Sequence, residues 1–190
     1  MFVKVIAPRP GESLLDIGGT PWFWSASGVE CRITLLNIRQ PEPQATDEYR
    51  FTYREGDGCS LPFGDSSFDI VFSNSVIEHV GTWERQQAFA REALRTARRI
   101  WVQTPAREFF IEPHLIAPFV HWLPRRLQRA LIRNFTVRGW IDRPDARAVG
   151  EFLDEVRLLS LPEMRLLFPG CVIQCERFLG MNKSYIAVRA

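Results

Sequence analysis

Ser13–Ile17 (SLLDI) is a short apolar run that ends directly at two glycines, Gly18 and Gly19. Apolar residues without strict polar alternation are typical of a strand that is covered on both faces, as in a parallel sheet. Similar short runs return along the chain, and segments with helical periodicity lie between them. This rhythm predicts a mainly parallel sheet whose strands are joined by helical crossovers.

The predicted elements form a three-layer α/β/α domain with a seven-stranded sheet. Helices are expected at residues 84–99, 154–161 and 162–168. The turn sequence at residues 180–183 indicates an antiparallel C-terminal hairpin. The expected strands are residues 13–17, 32–38, 49–53, 68–73, 99–103, 171–178 and 184–188.

The length of 190 residues fits a single domain, residues 1–190. Within it, an insertion of short helices is expected at about residues 106–150, after the fifth strand. The N-terminal apolar stretch is too short for a signal peptide, and no run reaches the roughly 18 residues that cross a bilayer. A cytoplasmic protein is therefore expected.

Charge and cysteine content limit the classes of partner. The net charge of +2 makes nucleic acid an unfavourable partner, since the basic surface is small. No two of the four cysteines are spaced as CxxC, so we expect reduced thiols in the core and no metal site.

The residues that close the first strand are candidates for ligand contact, because open parallel sheets bind ligands beyond the carboxyl ends of their strands. Gly18 and Gly19 let the backbone approach a ligand closely, and the amides after them can face a carboxylate. Asp16 can hold a cationic amine. An ordinary strand-to-loop turn explains this short motif equally well.

A longer motif covers residues 56–80, which read GDGCSLPFGDSSFDIVFSNSVIEHV. It resembles class I S-adenosylmethionine-dependent methyltransferases, particularly the small-molecule, type 11-like branch that includes quinone-biosynthesis enzymes. In that family a strand ends in Gly-Asp, followed by Leu-Pro-Phe, a turn, Phe-Asp, and a strand that runs into Ser/Asn and Glu-His. The resemblance covers residues 13 to about 105 and implies a Rossmann-like fold with S-adenosylmethionine as cofactor.

The resemblance also implies roles for individual residues. Asp57 would accept a hydrogen bond from the adenine amino group, and Ser75 would lie beside the transferred methyl group. Asn37 stands where many members have an acid that binds both ribose hydroxyls. Asp69, at a strand start, is expected to be structural. The implied cofactor-binding set is Asp16, Gly18, Gly19, Thr20, Asn37, Ile38, Asp57, Gly58, Cys59, Asn74 and Ser75.

Two further departures from the family pattern concern the N-terminal part. Thr20 and Pro21 replace the usual third glycine, and the aromatic residues 22–24 follow them, either as pocket wall or, as we favour, in the core. The first strand begins with little chain before it for the usual leading helix. The pocket is then open, or is closed by the insertion or by a second subunit in a homodimer.

Three residues are candidates for acid–base chemistry. His79 falls one helical turn after Ser75, and Glu78 precedes it. His114 lies in the insertion that follows the fifth strand, with Glu112 as an orienting partner. Packing against the sheet edge, or a surface position in a proline-rich loop, explains these histidines about as well.

Residues 124–143 carry six arginines, and apolar residues recur between them at helical spacing. Such a basic amphipathic segment can bind a membrane surface or a lipid-linked substrate. A solvated helix face is the commoner explanation.

The function expected from these observations is methyl transfer to a small-molecule acceptor. The alternative is a partner domain that keeps the fold without turnover, which the altered glycine loop, Asn37 and the missing leading helix favour. A nicotinamide-dependent oxidoreductase is disfavoured because no G-x-G-x-x-G follows the first strand.

Overall fold

The computed structural model describes residues 1–39 and 50–190. A seven-stranded sheet with the order β3-β2-β1-β4-β5-β9-β8 forms its centre. The first five strands are parallel, and β9 runs antiparallel to both β5 and β8. Its strands are β1 (Ser13–Ile17), β2 (Arg32–Asn37), β3 (Phe51–Glu55), β4 (Phe68–Asn74), β5 (Ala97–Pro105), β8 (Val172–Phe178) and β9 (Met181–Arg189).

Helices cover both faces of this sheet. They are α1 (Phe2–Ile6), α2 (Pro21–Ser25), α3 (Trp83–Thr96), α4 (Arg125–Phe135), α5 (Val137–Asp142), α6 (Ala146–Glu155) and α7 (Leu161–Leu167), with short 3-10 turns at Ile77–His79 and Val120–Trp122. A two-stranded ribbon, β6 (Ile111–Glu112) and β7 (Ala117–Pro118), lies outside the main sheet. None of the helices in the described ranges is long and apolar enough to cross a membrane.

Adjacent strand residues belong to different cores, as the alternation of side chains along a strand requires. Leu14 packs with Phe2 and Trp24 on one face, whereas Leu15 packs with Phe89 on the other. The predicted three-layer fold with its mainly parallel sheet and antiparallel hairpin is confirmed. A leading helix, for which the sequence left little chain, is present as the five-residue α1, and Phe2 anchors it against Trp24, Phe72 and Trp101.

The helix predicted at residues 154–161 is wrong. Helix α6 begins after Asp145, whose side chain caps Ala148 N, and it ends at Glu155. Helix α7 begins after Ser160, which forms a capping box with Glu163. The residues between the two helices are extended, since Leu159 pairs with Ala106 and is fully buried.

Other boundaries also differ from the prediction. Helix α3 ends at Thr96 rather than at residue 99, because β5 already begins at Ala97. Strand β3 begins at Phe51 rather than at residue 49, which lies outside the described ranges. The hairpin turn is tighter than expected because Leu179 and Gly180 both have positive φ angles, 49° and 80°. Such two-residue turns match the twist of antiparallel strands, so β9 already begins at Met181.

The insertion after β5 has a small core of its own. Helices α4, α5 and α6 surround Leu115, Ile132, Val149 and Leu153, all of which are buried. The chain then returns to the main sheet through α7. The insertion therefore lies at the carboxyl end of β5, beside the ends of β1 and β4.

Candidate functional site

A cavity of about 480 Å³, called here the strand-end cavity, opens at the carboxyl ends of β1, β2 and β4. Side chains from α3 and the end of α6 complete its wall. Six of the residues expected from the sequence to bind a cofactor line it: Gly18, Asn37, Ile38, Asp57, Gly58 and Ser75. Five do not: Asp16, Gly19, Thr20, Cys59 and Asn74.

Both of the expected glycines in the wall are packed too tightly for a side chain. Gly18 has a φ angle of +81°, and a Cβ there would lie 2.5 Å from Cγ2 of Val76. A Cβ on Gly58 would lie 2.8 Å from the Phe89 ring. The backbone itself therefore forms this part of the wall.

Asp57 is held by two donors. The Cys59 amide donates to its Oδ1 at 2.9 Å, and the Arg85 guanidinium donates to its Oδ2 at 2.9 Å. Burial opposes ionisation of Asp57, but these hydrogen bonds and the positive charge of Arg85 together outweigh burial and lower the pKa of Asp57. The carboxylate is thus ionised and fixed at the rim, with lone pairs left for a further donor.

Asn37 connects the end of β2 to the glycine loop. Its side-chain amide donates a 3.0 Å hydrogen bond to the carbonyl of Gly19. Because the amide nitrogen is used in this way, the side-chain oxygen is the atom left to accept a hydrogen bond in the cavity.

Asp16 lies behind the glycine loop rather than in the cavity wall. Its Oδ2 accepts a 2.6 Å hydrogen bond from the indole of Trp24, and a Cβ on Gly19 would lie 1.6 Å from that same oxygen. Burial raises the pKa of Asp16 to about 7, although the Trp24 hydrogen bond acts in the opposite direction. Of the aromatic residues 22–24, Trp24 is in the core as favoured, whereas Trp22 is 83% exposed.

Ser75 lies where two cavities meet. It has a φ angle of 57°, and its hydroxyl donates to Oε1 of Gln103 at 2.9 Å. Beyond it is a second cavity of about 440 Å³, called here the hairpin cavity. Its wall includes Gln103, Phe109, Ile111, Glu176, Phe178 and Lys183.

Sequence reasoning missed the hairpin cavity. Its wall comes from β5, the insertion and the β8–β9 hairpin, which are far apart in the chain. No local motif marks these residues, so only their packing around the end of β5 reveals the cavity.

The three acid–base candidates form one group, called here the histidine cluster: Glu78, His79 and His114. Glu78 is fully buried, and its Oε2 accepts a 3.0 Å hydrogen bond from Thr104. Its Oε1 has no hydrogen-bond partner within the described residues. Burial raises the pKa of Glu78 to about 7.

Carboxylates hold both histidines of the cluster. Nδ1 of His79 lies 3.3 Å from Glu155, and Nδ1 of His114 lies 2.6 Å from Glu112, the partner that the sequence suggested. The two rings meet edge to face with centroids 4.6 Å apart. Burial and then His114 lower the pKa of His79. Burial also opposes protonation of His114, but the hydrogen bond to Glu112 and the charges of Glu112 and Glu78 together outweigh burial and raise the pKa of His114.

His121 lies outside this cluster. Its Nε2 is 3.0 Å from the carbonyl of Arg107, and it lines neither of the two cavities described above. Only His79 of the three histidines borders the strand-end cavity.

Comparison with known proteins supports the relationship that the 56–80 motif indicated. Residues 20–99 match the methyltransferase domain family. An uncharacterized methyltransferase from Mycobacterium avium is 33% identical over 97 residues, which cover 46% of this chain and 36% of the relative. The matched segment spans about a third of the length of such curated relatives.

Solved structures show the same fold. A SAM-dependent methyltransferase from Methanosarcina mazei matches with a TM-score of 0.52 and 12% identity, over 95% of this chain and 92% of the other. Phosphoethanolamine N-methyltransferase 2 from Haemonchus contortus matches with a TM-score of 0.61 and 15% identity, over 92% of this chain and 37% of the other. These matches show that the chain shares its fold with those two proteins.

Proposed function

We propose, from the place of residues 20–99 in the methyltransferase domain family, that this chain binds S-adenosylmethionine and transfers its methyl group to a small molecule. One observation carries the proposal furthest: the strand-end cavity and the hairpin cavity meet at Ser75. A cofactor in one cavity and an acceptor in the other would face each other at this residue.

The strand-end cavity fits a nucleoside cofactor. Its volume of about 480 Å³ lies in the range of about 300–1,000 Å³ that is usual for small-molecule sites. Leu36 and Phe89 give it apolar walls for a planar base, and Asp57 and Asn37 place acceptor oxygens at its polar side. These acceptor oxygens therefore match a ligand with an exocyclic amine and hydroxyl groups.

We assign the following binding roles, which the positions of these residues in the cavity wall support. Asp57 would accept a hydrogen bond from the adenine amino group, and Oδ1 of Asn37 would accept one from a ribose hydroxyl. Gly18 would bring backbone close to the methionine portion. Asp16 is held behind Gly19 by Trp24, so we assign it to positioning the loop rather than to ligand contact.

Bound S-adenosylmethionine supplies a methyl group on a positively charged sulfonium. The contribution of the protein is then mainly to hold the acceptor in line with that group. Among the sequence candidates for a general base, His79 is the one at the wall of the strand-end cavity. Because its pKa is lowered, it is neutral at pH 7 and can accept a proton through the ring nitrogen that Glu155 leaves free.

The hairpin cavity indicates the kind of acceptor. Phe109, Ile111 and Phe178 give it an apolar wall, and Lys183 and Glu176 add charge. These walls suit a small molecule with an apolar body and a charged or polar group that Lys183 can meet. The methylated atom would then lie beside Ser75.

A second contact is proposed for residues 124–143. Helices α4 and α5 leave Phe135, Trp140 and Ile141 between 59% and 74% exposed beside the arginines. Arginines together with exposed aromatics are complementary to an anionic lipid surface. The chain should sediment together with phosphatidylserine vesicles but not with phosphatidylcholine vesicles. The double variant Trp140→Ser, Ile141→Ser should lose this retention on the vesicles. Equal retention of the double variant would contradict this contact.

The test of the main proposal is calorimetric titration with S-adenosylmethionine and S-adenosylhomocysteine. Binding at about micromolar Kd, equivalent to roughly −8 kcal/mol, is expected. Asp57→Ala should weaken it strongly, whereas Asp65→Ala, at an exposed carboxylate paired with Arg95, should not. Absence of binding by the unmodified chain would overturn the proposal.

Turnover separates the enzyme from its alternative, a partner domain without activity. Formation of S-adenosylhomocysteine with a panel of small acceptors is the measurement. Cofactor binding without product for any acceptor would favour the partner domain. Closure of the pocket by a second subunit, one of the alternatives raised by the sequence, stays untested.

A further inference from the structure

The histidine cluster brings together three potential metal ligands from separate parts of the chain. Glu78 and His79 lie in the 3-10 turn after β4, and His114 lies in the loop between β6 and β7. One donor atom from each lies within 4.8 Å of the other two. Donor atoms that are each about 2 Å from one ion lie at most about 4 Å apart. A side-chain shift of up to about 1 Å would therefore let the three donors bind a single ion.

Both histidines are oriented for such a role. The Nδ1 atoms of His79 and His114 face Glu155 and Glu112 respectively, at 3.3 and 2.6 Å. Each Nε2 is consequently the nitrogen left for a further ligand. A carboxylate on the far nitrogen of a histidine is the usual way in which metal sites fix the tautomer and the ring.

Glu78 supplies the charge. It is fully buried, and Oε1 lies 4.0 Å from Nε2 of His114 without a hydrogen-bond partner in the described part of the chain. A buried polar atom without a partner is costly. Glu112, 2% exposed, adds a second buried carboxyl group, so a divalent cation would balance the local charge.

We infer that Glu78, His79 and His114 bind one divalent transition-metal ion. Two imidazole nitrogens and one carboxylate oxygen suit Zn²⁺, Mn²⁺, Fe²⁺ or Co²⁺, whereas Mg²⁺ and Ca²⁺ prefer oxygen ligands alone. Three protein ligands leave coordination positions open, as in catalytic rather than structural sites. Because His79 also lines the strand-end cavity, an open position would be near the proposed cofactor.

The site changes two expectations from the sequence. No metal was expected because the cysteines form no pattern, but the ligands here are not cysteines, and His114 lies 35 residues after His79. An ion bound through Nε2 of His79 would also occupy the atom that a base needs. The inference itself rests on the cluster geometry and does not depend on methyl transfer.

The experiment uses the whole chain after treatment with a chelator. Co²⁺ is titrated while visible absorption is recorded, and Zn²⁺ is then added to compete. We expect one Co²⁺ per chain at about micromolar Kd or tighter, with absorption bands from a site of low coordination number that Zn²⁺ abolishes. Absence of a saturable Co²⁺ signal would overturn the inference.

Variants identify the ligands. Glu78→Gln and His114→Gln should each weaken Co²⁺ binding at least 100-fold, and Glu112→Gln, which only orients His114, should weaken it about 10- to 100-fold. His121→Gln is the matched control and should bind as the unmodified chain does. If His121→Gln weakens binding as much as His114→Gln, the ion binds elsewhere. Circular dichroism checks that each variant is folded. If Glu78→Gln does not fold, the comparison of His114→Gln with His121→Gln decides whether the ion binds at the histidine cluster.

Discussion

The indole N–H of Trp24 donates a 2.6 Å hydrogen bond to Oδ2 of Asp16, and both side chains are almost fully buried. Trp24→Phe removes this N–H donor, so the Asp16 carboxylate loses the hydrogen bond. Because hydrogen bonds to charged groups contribute about 1.5–3 kcal/mol, we expect a loss of about 2–3 kcal/mol in the free energy of unfolding. Urea denaturation at pH 7.5 measures this loss of unfolding free energy. Trp22→Phe, at an exposed position, should stay within about 0.5 kcal/mol of the unmodified chain, and equal stability of the two variants would contradict this role.

Asp16 also makes stability depend on pH. Burial raises its pKa from 3.8 to about 7, so the native state favours the protonated form. The stabilisation from this group is fully present below pH 4 and is lost as the pH rises to about 7. The loss is up to about 4 kcal/mol, from roughly 1.4 kcal/mol per pKa unit.

Asp16→Asn removes this dependence. The difference in unfolding free energy between the unmodified chain and Asp16→Asn should therefore fall between pH 4 and pH 8. For Asp69→Asn the corresponding difference should be nearly constant above about pH 4 and should fall as the pH drops below about 4, because hydrogen bonds from Ser13 lower the pKa of Asp69. Parallel curves for the unmodified chain and Asp16→Asn would show that Asp16 does not titrate in this range.

Asn37 and Asn74 are expected to differ in how much they contribute to cofactor affinity. Asn37 lines the strand-end cavity and supports the glycine loop, so Asn37→Ala should weaken S-adenosylhomocysteine binding about tenfold, or about 1.4 kcal/mol. Asn74 is exposed and does not line the cavity, so Asn74→Ala should change affinity less than about twofold. Calorimetry compares the two variants, and the reverse order would reject the assigned role of Asn37.

Two glycines of the insertion should respond oppositely to alanine. A Cβ on Gly139 would lie 1.9 Å from the carbonyl oxygen of Ile132, so Gly139→Ala must separate α4 from α5 and should destabilise the chain by at least about 1–3 kcal/mol. Gly150 has open space in α6, and Gly150→Ala should stabilise it by up to about 1 kcal/mol. Thermal unfolding measures both variants, and an equal shift in the same direction would contradict the tight α4–α5 contact.

The sheet could be predicted from the sequence because its strands are short apolar runs that end at glycine or polar residues. Helix 154–161 could not, because the capping by Ser160 and the pairing of Leu159 with Ala106 outweigh helical periodicity there. Three of the six lining residues, Asp57, Gly58 and Ser75, belong to the 56–80 motif that carried the resemblance. The burial of Asp16 under Trp24 depends instead on how α2 packs, which no motif encodes.

The arrangement around Ser75 has a consequence for how acceptor specificity can change. Apart from Glu155, the residues of the strand-end cavity come from positions 17–89, whereas, Ser75 excepted, those of the hairpin cavity come from positions 103–184. Substitutions in the insertion or the C-terminal hairpin can therefore reshape one compartment while the other keeps its form. Exchanging these two segments between relatives should transfer the choice of acceptor and leave affinity for the methyl donor intact.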